Sequence, residues 1–535
     1  MSQAEVKRKQ ALALSEILIW MLLPALGKAT GSLGVTCVMA AVEALLPLWL
    51  LVSGGVSDAL GRMLRARNNK SQYKNAARLR RCVLVFQLAL GAAGSLLLLL
   101  SAELLMEKFF RVRYSALILM VLSPILFLRT LSAVLLGFLQ GEGTELPTAV
   151  SALLRPLLVL GFGLVFAEIL KGYGDKVSGL LKQEKFTAVY GGAGIALGIN
   201  AAELFILLLL VILYARGRRR DKAAGQENGM RTVDSLFDCV RTLGLKRWQT
   251  AVPGLLLYLP LPIGWLFFEK AVKEENAALT QYGVYAGQYL PVCGMVTAAV
   301  ALAAIPVTAK VCAALKKEEQ RLARTAFGSG LHICLVHGIY GAVFIAVMWE
   351  QLARLVSDDA SAAAGSLLQG GSLLILFGAL AGYFARFLYR IDRRYPLFGA
   401  LALGDVIFMI VSALLLNVGK AGILALAYGG LAASGLLAVG LGKLVFSALQ
   451  TKPDWLRQLI LPLLAGAGAG LVCILVKKLL GAHLGSLAVL LIALVLSGAV
   501  YWAVLLAVRD FREQELEYIP GGKILYALGE KLHIF

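Results

Sequence analysis

Apolar residues fall in long blocks, many near twenty residues, repeated from residue 11 to residue 508. A block of that length crosses a hydrocarbon core of ~30 Å as a single α-helix. Strict alternation over ten-residue segments, which a transmembrane barrel needs, is absent. Backbone polar groups in lipid must satisfy one another, so helices are what remains. The expected fold is all-α: a polytopic membrane protein of about 14 transmembrane helices. The spans are expected at 11–28, 33–55, 82–104, 115–139, 147–170, 187–214, 249–268, 284–311, 327–348, 367–388, 397–416, 420–446, 456–477 and 485–508. Composition agrees, since 59% of residues are hydrophobic and 16% charged, against ~25% charged in soluble domains.

A net charge of +20 would suit a nucleic-acid partner in a soluble protein. Here the basic residues sit in short loops between spans, as the positive-inside rule requires. There they meet anionic headgroups. The expected partners are therefore membrane lipids and no nucleic acid. The Lys/Arg bias implies a multi-pass protein of the cell membrane with both termini cytoplasmic. Two loops dominate that bias, 62–81 and 216–247. The N-terminal stretch reads as a retained first span. Glu16, Trp20 and Pro24 interrupt it, and no signal-peptidase pattern follows.

The seven cysteines form no C-x-x-C pair and read as small packing residues. His332 and His337 share a span but are five apart, which does not place them on one helix face. No metal site is expected. There is no phosphate-binding G-x-x-x-x-G-K-[ST] loop, no G-x-S-x-G elbow and no H-E-x-x-H. The chain is expected to be no enzyme and to carry no cofactor.

The 216–247 loop lies near the middle of the span count. It suggests two pseudo-symmetric six-helix lobes, 1–225 and 226–450, followed by two C-terminal helices at 451–508. Pro24 and Gly27 in span 1, and Pro260 and Pro262 in span 7, interrupt corresponding helices of the two halves. Such paired interruptions point to a transporter's binding cleft. Residues 509–535 are expected to form a cytoplasmic amphipathic tail, with Ile524, Leu525, Leu528 and Leu532 beside Lys523 and Lys531.

Ionisable residues deep in a span cost ~2.5–3.5 kcal/mol on insertion scales unless they face protein or water. Arg129 is near the middle of span 4, with Gln140 eleven residues on and on the same face. Arg155 lies in span 5 with Ser151 and Thr148 beside it. These two arginines and Gln140, with Lys28 at the end of span 1 and Glu43 in span 2, are the candidate substrate-binding residues. Glu16, Glu203 and Asp405 are the candidate ion-coupling carboxylates. The plainer reading of the same residues is structural ion pairing, for example of Arg129 with Glu43. Arg386 and Arg390 sit where they can snorkel.

The stretch from Leu135 through Gly137 and Gln140 to Gly141, followed by Pro147, Thr148 and Ala149, resembles the span 4–5 signature of polysaccharide flippases. These belong to the multidrug/oligosaccharidyl-lipid/polysaccharide (MOP) exporter superfamily, where the pattern is R-G-Y-x-Q-G and then P-T-A. Gly55 to Ala59 with Tyr73 to Ala76, Tyr282 to Gly287, and Ile305 to Ala309 resemble further parts of that pattern. The tail from Glu515 through Pro520 to Lys523 looks like the ending of the stage V sporulation protein B group. Leu136 departs from the family's arginine, Arg155 stands where a glutamate is common, and span 1 has Lys28 in place of an arginine.

The resemblance implies two six-helix lobes around a cavity. It also implies alternating access that flips a lipid-linked saccharide, a polyprenyl-diphosphate oligosaccharide or a peptidoglycan precursor, to the outer leaflet. Arginine suits a diphosphate. Two other functions stay open: a cation-coupled multidrug antiporter of the same superfamily, and a non-transporting scaffold for cell-wall or spore enzymes. Cell-wall synthesis enzymes are then a further class of partner.

Overall fold

A computed structural model of the chain describes residues 3–183, 185–222, 235–272, 274–356, 362–511, 515, 522, 526–527 and 530. Among them there is no strand. The first nine helices are α1 (Gln3–Ser53), α2 (Val56–Asn68), α3 (Tyr73–Glu103), α4 (Ser115–Leu122), α5 (Pro124–Gly141), α6 (Leu146–Leu181), α7 (Lys185–Lys222), α8 (Leu236–Tyr258) and α9 (Pro260–Ala271). There follow α10 (Glu275–Val284), α11 (Leu290–Lys316), α12 (Gln320–Val356), α13 (Ala362–Gly371), α14 (Leu374–Arg390), α15 (Arg394–Asn417), α16 (Leu424–Leu449), α17 (Leu461–Leu480) and α18 (Ser486–Ala507). Short π-helical turns cover Leu104–Phe109, Tyr285–Tyr289 and Leu456–Ile460. The expected amphipathic face of the tail lies outside the described residues, as does 223–234 of the basic linker.

Twelve of the described helical runs are long and apolar enough to cross a membrane, or thirteen if the bent pair Ala363–Gly371 and Leu374–Arg390 is one span. The first run, Glu5–Asn68, holds 64 residues, about 96 Å at ~1.5 Å per residue. That is more than two bilayer cores. The spans expected at 11–28 and 33–55 are the two arms of α1, on either side of Gly31. Gly31 has φ +72° and ψ 172°, a region open essentially to glycine alone. Counting the two arms separately, and the bent pair as one span, brings the spans to the expected 14. One expectation needs correction: the backbone stays helical through Pro24 and Gly27, and the interruption falls at Gly31. In the second half α8 and α9 part at Leu259, before Pro260, but Leu259 keeps helical φ −58° and ψ −35°, and Leu236–Ala271 is one apolar run, so the expected interruption there is corrected too.

The chain forms two compact units, Ala25–Glu269 and Met1–Pro24 with Lys270–Phe535. In the first, small residues let helix backbones touch, as membrane helices require without a hydrophobic drive. On α6 and α7, Gly163 and Ala167 face Gly198 and Gly194: a Cβ on Gly198 would meet the Gly163 Cα at 2.5 Å. On α2 and α5, Gly137 and Gly141 receive Leu60 and Leu64, and Gly61 receives Gln140. The glycines of the span-4 signature are thus packing surfaces for α2. Arg247 of α8 donates from Nη1 to the Val52 carbonyl at 2.6 Å and from Nη2 to the Leu51 carbonyl at 2.5 Å. These carbonyls are at the C-terminal end of α1, where helical partners run out.

The second unit is built around α12. Gly341 accepts Val296 of α11, while Gly466 and Gly470 of α17 accept Ile339 and Val343. Tyr289 donates to the Gly371 carbonyl at 3.0 Å, and Tyr383 to the Phe327 carbonyl at 3.1 Å. Each phenol is buried, and each so satisfies its hydroxyl, as a buried polar group must.

Candidate functional site

The Ala25–Glu269 unit brings three charged side chains of different helices together. Arg129 is at the midpoint of the apolar run Ser115–Gly141, on α5. Arg155 is on α6, immediately before Pro156. That proline lacks an N–H and removes one helical bond beside the arginine. Glu203 lies mid-way along α7. Arg155 grips the carboxylate with two donors, Nε to Oε2 at 2.8 Å and Nη2 to Oε1 at 3.3 Å. The Nε of Arg129 approaches the same Oε2 at 3.5 Å.

Burial differs sharply across the cluster. The Glu203 side chain is 1% exposed, those of Arg129 and Arg155 28% and 24%. An ion taken out of water costs several kcal/mol even after relaxation. Two guanidiniums around one carboxylate offset that cost for Glu203. They leave the cluster with one positive charge more than it needs, carried on the partly exposed arginines. Trp49 supports Arg129 from below, with the guanidinium carbon 5.0 Å from its ring centroid. Such a stack is worth ~0.5–2 kcal/mol.

The carboxylate that Arg129 meets is Glu203, and the pairing offered above as an example with Glu43 is corrected on that point. Glu43 is buried on the second arm of α1. Gln140 shares the helix face of Arg129 but lies eleven residues along it, about 16 Å at ~1.5 Å per residue. It belongs to a separate polar cluster. Its side chain donates to Thr148 at 3.0 Å, and its carbonyl accepts from Arg65 at 2.7 Å. Arg65 also pairs with Glu145 at 2.8 Å, and Arg80 with Glu142 at 3.2 Å. Lys28 and Glu16 are exposed. Asp405 is buried on α15, and its Oδ2 has no hydrogen-bond partner among the described residues.

Sequence reading selected Arg129, Arg155 and Glu203 by depth and grouped the two arginines. It did not join Glu203 to them, because 48 residues separate Arg155 from Glu203 and only the α6–α7 packing joins them. Trp49 was missed altogether. An aromatic residue in an apolar span carries no mark that it lies under a cation. Among the described residues, no group of three or more His, Cys, Asp or Glu has the arrangement to hold a metal ion.

No protein-family model and no curated protein matches the sequence. Solved structures do match the fold. Lipid II flippase MurJ, in an inward closed conformation, is 14% identical with a TM-score of 0.63, covering 94% of this chain and 99% of that one. An inward-facing multidrug resistance MATE family transporter is 19% identical with a TM-score of 0.55, covering 84% and 99%. A MOP superfamily transporter from Pyrococcus furiosus, for which a reverse polarity of the binding pocket suggests a different function, is 17% identical with a TM-score of 0.55 over the same shares. The chain is a multi-pass helical membrane protein, and its fold is that of MOP superfamily transporters.

Proposed function

We propose that the chain is a transporter that flips a lipid-linked saccharide, of the polyprenyl-diphosphate oligosaccharide or peptidoglycan-precursor class, to the outer leaflet by alternating access. The observation that carries this reading is the pair of guanidiniums sharing one buried carboxylate at mid-span depth. An anionic headgroup crossing lipid needs compensation midway, because its own desolvation is expensive. Arg129 and Arg155 supply one positive charge in excess of Glu203, on side chains that reach the surface of their unit. Arginine forks bind phosphate oxygens two at a time. In this reading Glu203 positions the two cations, and the diphosphate completes their coordination. The likeness in fold to a lipid II flippase supports the same substrate class.

The reading extends to a cell-membrane location with both termini cytoplasmic and to a role beside cell-wall synthesis enzymes, in the sporulation branch that the tail resembles. It also keeps two six-span lobes and a C-terminal pair, although α8 and α9 pack within the Ala25–Glu269 unit.

The test is a flipping assay in proteoliposomes carrying a fluorescent undecaprenyl-diphosphate saccharide. Wild-type protein moves the label between leaflets, and R129A/R155A, folded and inserted, does not. Undiminished flipping by that double variant would remove the binding role. One observation favours a second reading, a cation-coupled drug antiporter: Asp405, buried with an unshared carboxylate oxygen. Uptake of a cationic dye that is lost in D405N, with no saccharide flipping, would select it.

A further inference from the structure

A second charged cluster, in the other unit, joins the end of the chain to α12. His332 is fully buried on α12. Its Nε2 lies 2.8 Å from Asp510 Oδ2, and its Nδ1 lies 3.2 Å from Glu515 Oε2. Arg457, in the π-helical turn Leu456–Ile460, reaches the same two residues. Its Nη2 donates to Glu515 Oε2 at 2.6 Å and its Nε to the Asp510 carbonyl at 2.6 Å. The Phe511 ring covers the imidazole at a centroid distance of 4.9 Å and packs on Trp502 at 5.4 Å. Asp510 and Glu515 are themselves buried.

The hydrogen count decides what this geometry holds. A neutral imidazole has one donor and one acceptor nitrogen. Here both nitrogens face carboxylate oxygens, which only accept. Both contacts are favourable only when the ring carries two protons. Arg457 and an imidazolium would place two positive charges beside the two carboxylates of Asp510 and Glu515. Two further polar neighbours among the described residues bond elsewhere. His337, from α12 itself, donates to the Ile333 carbonyl at 2.8 Å. Tyr501, from α18, donates to the Val336 carbonyl at 2.8 Å. The faces of α11 and α17 contribute Val307, Ala465 and Ala469.

We infer that His332, Asp510, Glu515 and Arg457 form a proton-binding site that latches residues 509–511 and Glu515 onto α12. The segment docks with one proton taken up on the imidazole, and that proton passes to water when the segment leaves. In water the free imidazole is mostly neutral above pH ~6.5. The docked state therefore holds one more proton than the released state across neutral pH. Acid favours docking and alkali favours release, with the docked-to-released ratio falling about tenfold per pH unit above the free imidazole's pKa of ~6.5, for as long as the docked ring keeps its proton. The device is separate from Arg129 and Arg155, so its failure would leave the transport reading untouched.

The test uses the full chain in lipid nanodiscs. The protein has four histidines, so 15N-histidine NMR resolves each ring, assigned through H337Q, H483Q and H533Q. Amide exchange of the peptide 505–511, referenced to an unstructured peptide at each pH, reads docking. The expected result is an imidazolium at His332 well above pH ~6.5, where a free imidazole is neutral. Protection of 505–511 should be lost in the range where His332 titrates. H332Q should lose protection at every pH. H332Q/D510N, which keeps the Arg457–Glu515 contact and removes the carboxylate that faced the imidazole, should regain protection and show no pH dependence. If H332Q does not fold, the double variant against wild type decides by that loss of pH dependence. A neutral His332 ring in the docked protein, or a folded H332Q/D510N no better protected than H332Q, would overturn the proposal.

Discussion

Gly198 of α7 and Gly163 of α6 are in backbone contact: a methyl group on Gly198 would meet the Gly163 Cα and N at 2.5 Å. This contact brings α7, and with it Glu203, against α6 and Arg155. Overpacking at such a point costs ~1–3 kcal/mol per added group or more. G198L should therefore lower the thermal midpoint in detergent and weaken flipping together. Gly161, on α6 with open space around it, is the control. G161A should leave both measurements within error.

The cluster of Arg129, Arg155 and Glu203 predicts an asymmetric response to substitution. Arg155 makes both short contacts to the carboxylate, whereas Arg129 stands at 3.5 Å. R155A should destabilise more than R129A, by about 3–5 kcal/mol if it strands the buried charge. R155Q/E203Q removes both charges and should recover most of that stability without recovering flipping. Paired thermal denaturation and flipping assays separate the two effects. Recovery of flipping in the double variant would show the arginine to be structural only.

Arg247 closes the carbonyl end of α1 with two hydrogen bonds. Gly55, with φ +71°, sits against the Arg247 carbonyl and Thr250, each at 2.9 Å from an added Cβ. R247A leaves two helix-end carbonyls unpaired and should cost ~1–3 kcal/mol. R247K should recover only part, because an ammonium lacks the planar fork. A chemical-denaturation series on the three proteins measures the order.

Topology can be checked at the short turn 69–72 between α2 and α3, whose adjoining helix ends carry the arginines expected in a 62–81 loop. A cysteine at position 71 should stay unmodified when intact cells meet an impermeant maleimide, and react once the membrane is opened. Modification from outside would invert the orientation. Six of the seven native thiols are buried and Cys312 is partly so, which keeps the background low.

The helices and their number were readable because apolar length is a local property, tested window by window. Arg129, Arg155 and Glu203 were readable one at a time for a similar reason: a charge inside an apolar run is conspicuous. Their pairing was not, because Glu203 meets the arginines only after α6 and α7 have packed. Gln140 misled in the opposite direction. Helical spacing put it on the Arg129 face, but spacing says nothing of distance along the axis, and the helix end claimed it for Thr148 and Arg65. The break in α1 also moved. Pro24 and Gly27 were the conventional signals, yet a proline in a long membrane helix can be absorbed. Gly31 drew no notice, because one glycine among many carries no mark of positive φ.

The place of Gly31 has a further consequence. Nothing stands within 4 Å of a Cβ built there, so an added methyl group would meet backbone strain from the positive φ and no steric clash. G31A tests the backbone and leaves the surrounding contacts unaltered. An alanine there would favour one unbroken rod of the 51 residues of α1, ~77 Å at ~1.5 Å per residue, which no single bilayer holds. The parity of the whole chain, and so the side on which every later loop emerges, turns on a residue whose side chain is a single hydrogen atom.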